Sequence, residues 1–175
     1  MPQKTGLEKT IEFLEMILSF ENGVAVLLGV DPIPSVEDMY NVLKKPQADC
    51  GVRVDGGVSV YMAEAMLMTV EPIEATVQSL GGWENIWSLT EKYREEYPQM
   101  WNKLVPLASM LRPGGIIRDG EGGMSAVLSR RFDGVRGKTL RRWKKRIIKS
   151  LAIHLLSWAY TDGYNISYYP DKKLN

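Results

Sequence analysis

The segment from Lys138 to about Tyr160 constrains the fold most, because its apolar residues recur every three or four positions. That spacing places them on one side of an α-helix, whereas a β-strand would scatter them over two faces. The helix would run for about six turns. The apolar stripe consists of Leu140, Trp143, Ile147, Leu151, Leu155 and Trp158. A helix with one such side needs other elements to cover it, so the rest of the chain must supply them.

Other segments show the same helical spacing of apolar residues, which predicts a mostly α-helical protein. Ser35 followed by Asp38 has the pattern of a capping box and predicts a helix start there. The predicted helices, beside the one at 138–160, span residues 7–20, 35–44, 60–80, 83–97, 98–111 and 125–132.

Four stretches leave their structure open. Residues 24–30 are an apolar run that fits either a strand or a buried helical turn. Residues 50–60 fit a small hairpin around Asp55-Gly56-Gly57, or a loop. Pro72 predicts a kink or a new helix start within 60–80. The methionines of that segment are expected to lie in the core, with an adaptable binding surface as the alternative. The aromatic-rich tail, 161–175, is typical of either a strand or an arm.

Length and composition exclude several classes of protein. With 175 residues, 45% of them hydrophobic, the chain can bury a core as one domain or as one domain with a small appendage. Its single cysteine, Cys50, allows no internal disulfide and fits a reducing compartment. Glu8, Glu12 and Glu15 interrupt the apolar N-terminal segment, which argues against a signal peptide. No apolar run approaches the length of a membrane span, so we expect a cytoplasmic protein without a membrane contact.

The net charge of +1 hides a strong asymmetry along the chain. Residues 118–149 contain eleven Lys or Arg and three acidic residues, a net charge of +8. Residues 1–117 contain nine basic and sixteen acidic residues, a net charge of −7. A local basic block of this size favours contact with a polyanion, with a solvated helix surface as the alternative.

Gly137-Lys138-Thr139 resembles the end of a nucleotide-binding phosphate loop, but the preceding residues do not fit that loop. The motif needs a glycine five positions before Gly137, and Phe132 stands there. The segment before it is also predicted to be a helix, whereas the phosphate loop follows a buried strand. We therefore expect no nucleotide and no other cofactor.

A short helix, a glycine-containing turn and a longer basic helix predict a helix-turn-helix, in which the start of the second helix contacts base edges in DNA. On a helical wheel one face opposite the apolar stripe carries Lys138, Arg141, Arg142, Lys145 and Lys149. The residues predicted to contact DNA are Arg130, Arg131, Arg136, Lys138, Thr139, Arg141, Arg142, Lys145, Arg146 and Lys149.

The stretch LSRRF-DGVRG-KTLRRWKKRIIKSL resembles the helix-turn-helix of sigma-factor region 4 and of related small phage regulators. More loosely, residues 93–156 resemble phage late-gene activators of the ArpU/RinA type. The resemblance implies a phage-encoded transcription regulator that binds double-stranded DNA. The turn is longer than usual and the loop at 113–123 is an insertion, and residues 1–92 carry no resemblance.

The sequence thus predicts three regions. Residues 1–92 would form a helical dimerisation or partner-contact region, and its partner would be a second copy of the chain or RNA polymerase. Residues 93–160 would form the DNA-binding region, and residues 161–175 would form the tail. An alternative is a helical assembly or adaptor protein, whose basic helix meets an acidic protein surface.

Catalytic and metal-binding patterns are sparse. His154 is the only histidine, and its place in the last helix predicts a core or boundary position. One histidine and one cysteine cannot make a zinc site, and nothing places Cys50 beside His154 as a nucleophile–base pair. We expect a binding protein with no catalytic residue and no metal.

Overall fold

The computed structural model describes residues 3–44, 60–110 and 132–161. In these ranges the chain forms seven α-helices and no β-strand, so the predicted mostly α-helical fold is confirmed. The helices are α1 (Gly6–Leu18), α2 (Gly23–Leu27), α3 (Val36–Leu43), α4 (Val60–Ser79), α5 (Trp83–Glu96), α6 (Pro98–Met110) and α7 (Gly137–Thr161).

Local side-chain chemistry sets the start of two helices. The Thr5 hydroxyl accepts a hydrogen bond from the Glu8 backbone N–H, and the Glu8 carboxylate accepts one from the Thr5 N–H, each at 3.1 Å. This reciprocal capping box begins α1. The Ser35 hydroxyl accepts from the Asp38 N–H at 3.1 Å, which confirms the predicted start of α3.

Two of the open stretches are settled by the structure. The apolar run at 24–30 contributes a short helix, α2, so the helical alternative is confirmed for its first residues. The segment 60–79 is one helix that continues through Pro72. It ends at Gly81 and Gly82, whose φ angles of 95° and 89° lie in the left-handed region that favours glycine.

α7 packs against α1, α5 and α6, and its buried side lies at the centre of the hydrophobic core. α1 also contacts α2, α3 and α4, so one core joins residues on both sides of the predicted boundary at residue 92. The boundary itself stays a prediction. The buried residues of α7 are Leu140, Ile147, Ile148, Leu151, Ala152, Leu155, Leu156 and Ala159.

Three predictions lie outside the described residues. These are the hairpin before residue 60, the predicted helix at 125–131 and the tail from residue 162. Residue 60, the last of the predicted hairpin, is described and begins α4. The predicted DNA contacts Arg130 and Arg131 fall there as well, and so does Cys50.

Candidate nucleic-acid interface

Six basic side chains of α7 form a continuous exposed surface, which we call the basic face. They follow each other at spacings of three and four residues, so they lie on one side of the helix. The opposite side, from Leu140 to Leu155, is buried in the core. The basic face consists of Lys138, Arg141, Arg142, Lys145, Arg146 and Lys149, all of them exposed.

The basic face ends abruptly after Lys149. Lys138 and Lys145 lie on one line along the helix, and the next residue on that line is Ala152, which is buried. Likewise Lys149 is followed on its line by Leu156, which is 3% exposed. With a rise of 1.5 Å per residue, the exposed cations therefore extend over about 17 Å.

A tight turn sets where α7 begins. The Val135 N–H donates to the Phe132 carbonyl oxygen at 3.1 Å. Between them, Asp133 and Gly134 have φ angles of 54° and 80°, as the two central residues of a type I′ turn have. Asp-Gly suits these positions because both residues tolerate a left-handed backbone better than most. The predicted turn before the basic helix is therefore present.

Trp143 holds this turn against the helix. The ring of Phe132 meets the ring of Trp143 edge-on, with 6.0 Å between the centroids. On another side, the Lys103 ammonium group of α6 lies 4.8 Å from the centre of the Trp143 ring. These contacts fix the first turns of α7 relative to α6 and to the preceding chain.

Two further predicted contact residues lie at the start of α7. Arg136 is exposed, and its carbonyl oxygen accepts hydrogen bonds from the N–H groups of Thr139 and Leu140 at 3.0 and 3.1 Å. Thr139 is half-buried, so less of its side chain is available to a ligand than at its basic neighbours. The structure thus brings eight of the ten predicted residues onto one helix and its first cap, and the other two are Arg130 and Arg131.

Within the described parts of the chain, no ion pair joins a residue of the basic face to a carboxylate. Lys144 differs from its neighbours because it is half-buried beside α1. Burial lowers the pKa of Lys144, while the charge of Glu15 on α1 acts in the opposite direction. One cation of the helix therefore faces the acidic N-terminal half, and the six of the basic face remain available.

The basic face is electrostatically unfavourable for the isolated protein. Lys138, Arg141 and Arg142 lie in the first turns of α7, where the helix dipole favours negative charge. Neighbours three or four residues apart on the face are all of like charge, which destabilises a helix by a few tenths of a kcal/mol per pair. α7 contains no acidic residue that would compensate.

An exposed apolar surface lies on α4, where the sequence favoured core positions and gave a binding surface only as the alternative. Leu67 and Met68 are 58% and 73% exposed, and Met62 is 37% exposed. The prediction that these methionines belong to the core is therefore wrong for Met62 and Met68. The periodic pattern was correct for the second half of α4, where Val70, Ile73 and Val77 are buried.

Other kinds of site are not seen in the described ranges. No group of three or more His, Cys, Asp or Glu side chains lies close enough to hold a metal ion there. In the same ranges no helix has both the length and the apolar character needed to cross a membrane.

Comparisons with protein families, with curated proteins and with solved structures find no match to this chain.

Proposed function

We propose that the protein is a DNA-binding transcription regulator that binds double-stranded DNA through the basic face of α7. Lysines of the face would neutralise backbone phosphates, and Lys138, Arg141 and Arg142 at the start of the helix would reach base edges. The observation that carries the proposal is the basic face itself: six exposed cations without a described carboxylate partner, opposite a side that is buried in the core.

The electrostatic cost of the basic face supports a ligand that is a polyanion. Like charges placed along one helix surface and at its N-terminus lower stability until anions approach them. A DNA backbone supplies one negative charge per about 1.7 Å of axis, so a face of about 17 Å meets several phosphates at once. The basic side chains repel one another in the free protein, whereas in the complex they would be attracted to the phosphates.

The shape of the face also fits DNA. A helix with its side chains is about 10–12 Å across, and the major groove of B-DNA is about 12 Å wide. The turn at Asp133 and Gly134 and the contact of Phe132 with Trp143 fix the first residues of α7, which are the ones expected to meet base edges. The role in transcription and the phage origin follow from the resemblance to sigma-region-4-like and late-activator proteins.

The test is fluorescence anisotropy with a labelled random-sequence duplex, titrated with the full-length chain from low to physiological salt. Wild type is expected to bind in the micromolar range with an affinity that falls steeply with salt. Arg141→Ala/Arg142→Ala should weaken binding by about tenfold or more. Lys9→Ala/Lys44→Ala is the matched control, because it also removes two exposed positive charges but lies on α1 and α3. Equal losses in the two double variants, or no binding at low salt, would refute the proposal.

A second candidate is a helical assembly or adaptor protein whose basic helix meets an acidic protein surface. It is favoured by Lys144, the residue of α7 that faces Glu15 across the contact with α1. If this candidate is correct, neither the wild-type chain nor Arg141→Ala/Arg142→Ala binds the duplex at low salt.

A further inference from the structure

The first half of α4 carries an exposed apolar surface, which we call the α4 apolar face. It consists of Val60, Tyr61, Leu67 and Met68, which are between 58% and 83% exposed. The two pairs lie on one side of the helix, with exposed Glu64 between them. Large apolar side chains are often exposed singly, but a group of them on one side of a helix is typical of a surface that another protein covers.

The α4 helix extends beyond the core that its second half helps to build. Val70, Ile73 and Val77 point into the core, and each is at most 7% exposed. Met66 lies one turn before Val70 on the same side of α4, but it is only half-buried. In the part of the chain that the structure describes, the first half of α4 is therefore less covered than its second half, on the outer side and on the side that faces the core further along.

The charged residues of α4 itself are all negative. Glu64, Glu71 and Glu74 are exposed on α4, and residues 60–79 contain no Lys or Arg. A second copy of the chain is a poor occupant for this reason. In an antiparallel pair of α4 helices centred on Leu67 and Met68, Glu64 of one copy would meet Glu71 of the other, and such like-charge contacts oppose association.

We propose that the α4 apolar face binds a basic amphipathic helix of another protein. Apolar residues at intervals of three, four and seven positions on that helix would cover Leu67 and Met68, while Lys or Arg beside them would pair with Glu64 and Glu71. Met68 suits this role because an unbranched thioether side chain adapts to different apolar partners. This surface is separate from the basic face, so the protein would bind DNA with α7 and a protein with α4.

The experiment uses the full-length chain and a labelled peptide of leucine and lysine, patterned as an amphipathic helix of about four turns. Anisotropy is measured at physiological salt, with a second peptide in which glutamine replaces every lysine. The proposal expects binding of the basic peptide, clearly weaker binding of the neutral one, and a loss of about tenfold or more in Leu67→Lys/Met68→Lys. Glu64→Gln/Glu71→Gln should weaken binding less, by reducing charge attraction alone.

Val30→Lys is the control, because Val30 is 74% exposed and follows α2, so its exposure matches that of Met68 on another element. It should bind the basic peptide as wild type does. Equal binding of the two peptides, an equal loss in Val30→Lys, or no binding to wild type would overturn the proposal. The proposal would also be overturned if sedimentation showed a concentration-dependent dimer that Leu67→Lys/Met68→Lys abolishes, because the α4 apolar face would then bind a second copy of the chain. DNA affinity should be unchanged in Leu67→Lys/Met68→Lys, which separates this test from that of the basic face.

Discussion

His154 Nε2 lies 3.0 Å from the Tyr97 hydroxyl, and this contact joins the end of α5 to the second half of α7. The other ring nitrogen, Nδ1, lies 2.7 Å from the Ser150 carbonyl oxygen, which can only accept a hydrogen bond. Nδ1 is therefore the protonated nitrogen, Nε2 accepts, and the Tyr97 hydroxyl donates. The contact adds to the packing of α7 against α1, α5 and α6, which sets the direction in which the basic face points.

Tyr97→Phe removes the donor to His154 Nε2 and leaves a half-buried acceptor without its partner. We expect the free energy of unfolding to fall by about 1 kcal/mol, which is the usual net value of such a hydrogen bond. Urea denaturation would measure it. Tyr61→Phe is the control because Tyr61 is 83% exposed, and its stability should match wild type. Equal stabilities for Tyr97→Phe and Tyr61→Phe would mean that the hydrogen bond to His154 does not stabilise the fold.

Tyr93 makes stability depend on pH in the alkaline range. Its side chain is fully buried and its hydroxyl donates to Ser150 Oγ at 3.1 Å. Burial raises the pKa of Tyr93, the hydrogen bond to Ser150 lowers it, and the charge of Tyr97 raises it further. Above the ordinary pKa of about 10, the unfolded chain ionises at this residue while the folded chain does not.

Stability should therefore fall as pH rises from about 10 through the raised pKa of Tyr93, and the contribution should be fully present below pH 10. Tyr93→Phe loses about 1 kcal/mol at neutral pH through the missing hydrogen bond, but it should lose less than wild type on further alkalinisation. Urea denaturation at pH 8 and at about pH 10.5 would measure the two slopes. If the free energy of unfolding fell equally between the two pH values in wild type and in Tyr93→Phe, Tyr93 would not be the source of the alkaline pH dependence.

Replacing Gly29 should destabilise the fold for two reasons. Its φ of 75° is left-handed, and a Cβ there would lie 2.8 Å from Cδ2 of Trp87. Gly29→Ala combines backbone strain with a steric clash, so we expect a loss of about 2–4 kcal/mol in a melting experiment. Gly82→Ala is the control, since Gly82 has a φ of 89° but nothing within 4 Å of its Cβ position. Equal losses in the two variants would show that the Trp87 ring moves aside without a measurable loss of stability.

Helix positions were predictable from the sequence because their causes are local. Apolar periodicity and capping residues placed α1, α3, α4, α5, α6 and α7 within two residues of their observed ends. The capping box of Thr5 and Glu8 has the same kind of sequence signal and could have been predicted as well. The exposure of the basic face also follows from the helical wheel, because a side rich in Lys and Arg rarely enters a core.

Long-range contacts were not predictable in the same way. His154 was expected at a core or boundary position, and it is half-buried, but its partner Tyr97 is 57 residues away in the chain. Periodicity also does not reveal where a helix leaves the core. Met62 and Ile73 lie about three helical turns apart on the same side of α4, yet Met62 is 37% exposed and Ile73 is 6% exposed. The difference depends on which elements reach each end of α4, and the sequence of α4 does not contain that information.

The salt dependence of DNA binding should report which lysines contact phosphate. Each phosphate contact contributes about −0.9 to the slope of log K against log salt for B-DNA. Lys145→Ala/Lys149→Ala should therefore reduce the slope by about two, with a similar loss on any duplex sequence. Lys9→Ala/Lys44→Ala should leave the slope unchanged. An unchanged slope in the first variant would mean that DNA does not contact this part of the basic face.

Lys138→Glu should change stability and DNA binding in opposite directions. An acidic residue in the first turn of α7 interacts favourably with the helix dipole, and the change replaces repulsion from Arg141 and Arg142 with attraction. We expect the free energy of unfolding to rise by about 0.5–1 kcal/mol. Affinity for the random-sequence duplex should fall by about tenfold or more, because a cation becomes an anion at the predicted DNA surface.

Urea denaturation and anisotropy on the same preparations would measure both effects, with Lys138→Gln expected to lie between Lys138→Glu and wild type in each. A joint fall in stability and affinity would mean that Lys138 stabilises the fold through a protein contact. A rise in stability with unchanged affinity would remove Lys138 from the DNA surface. Opposite shifts would indicate that the positive charge at the start of α7 is kept at a cost in stability, as expected for a residue that contacts DNA.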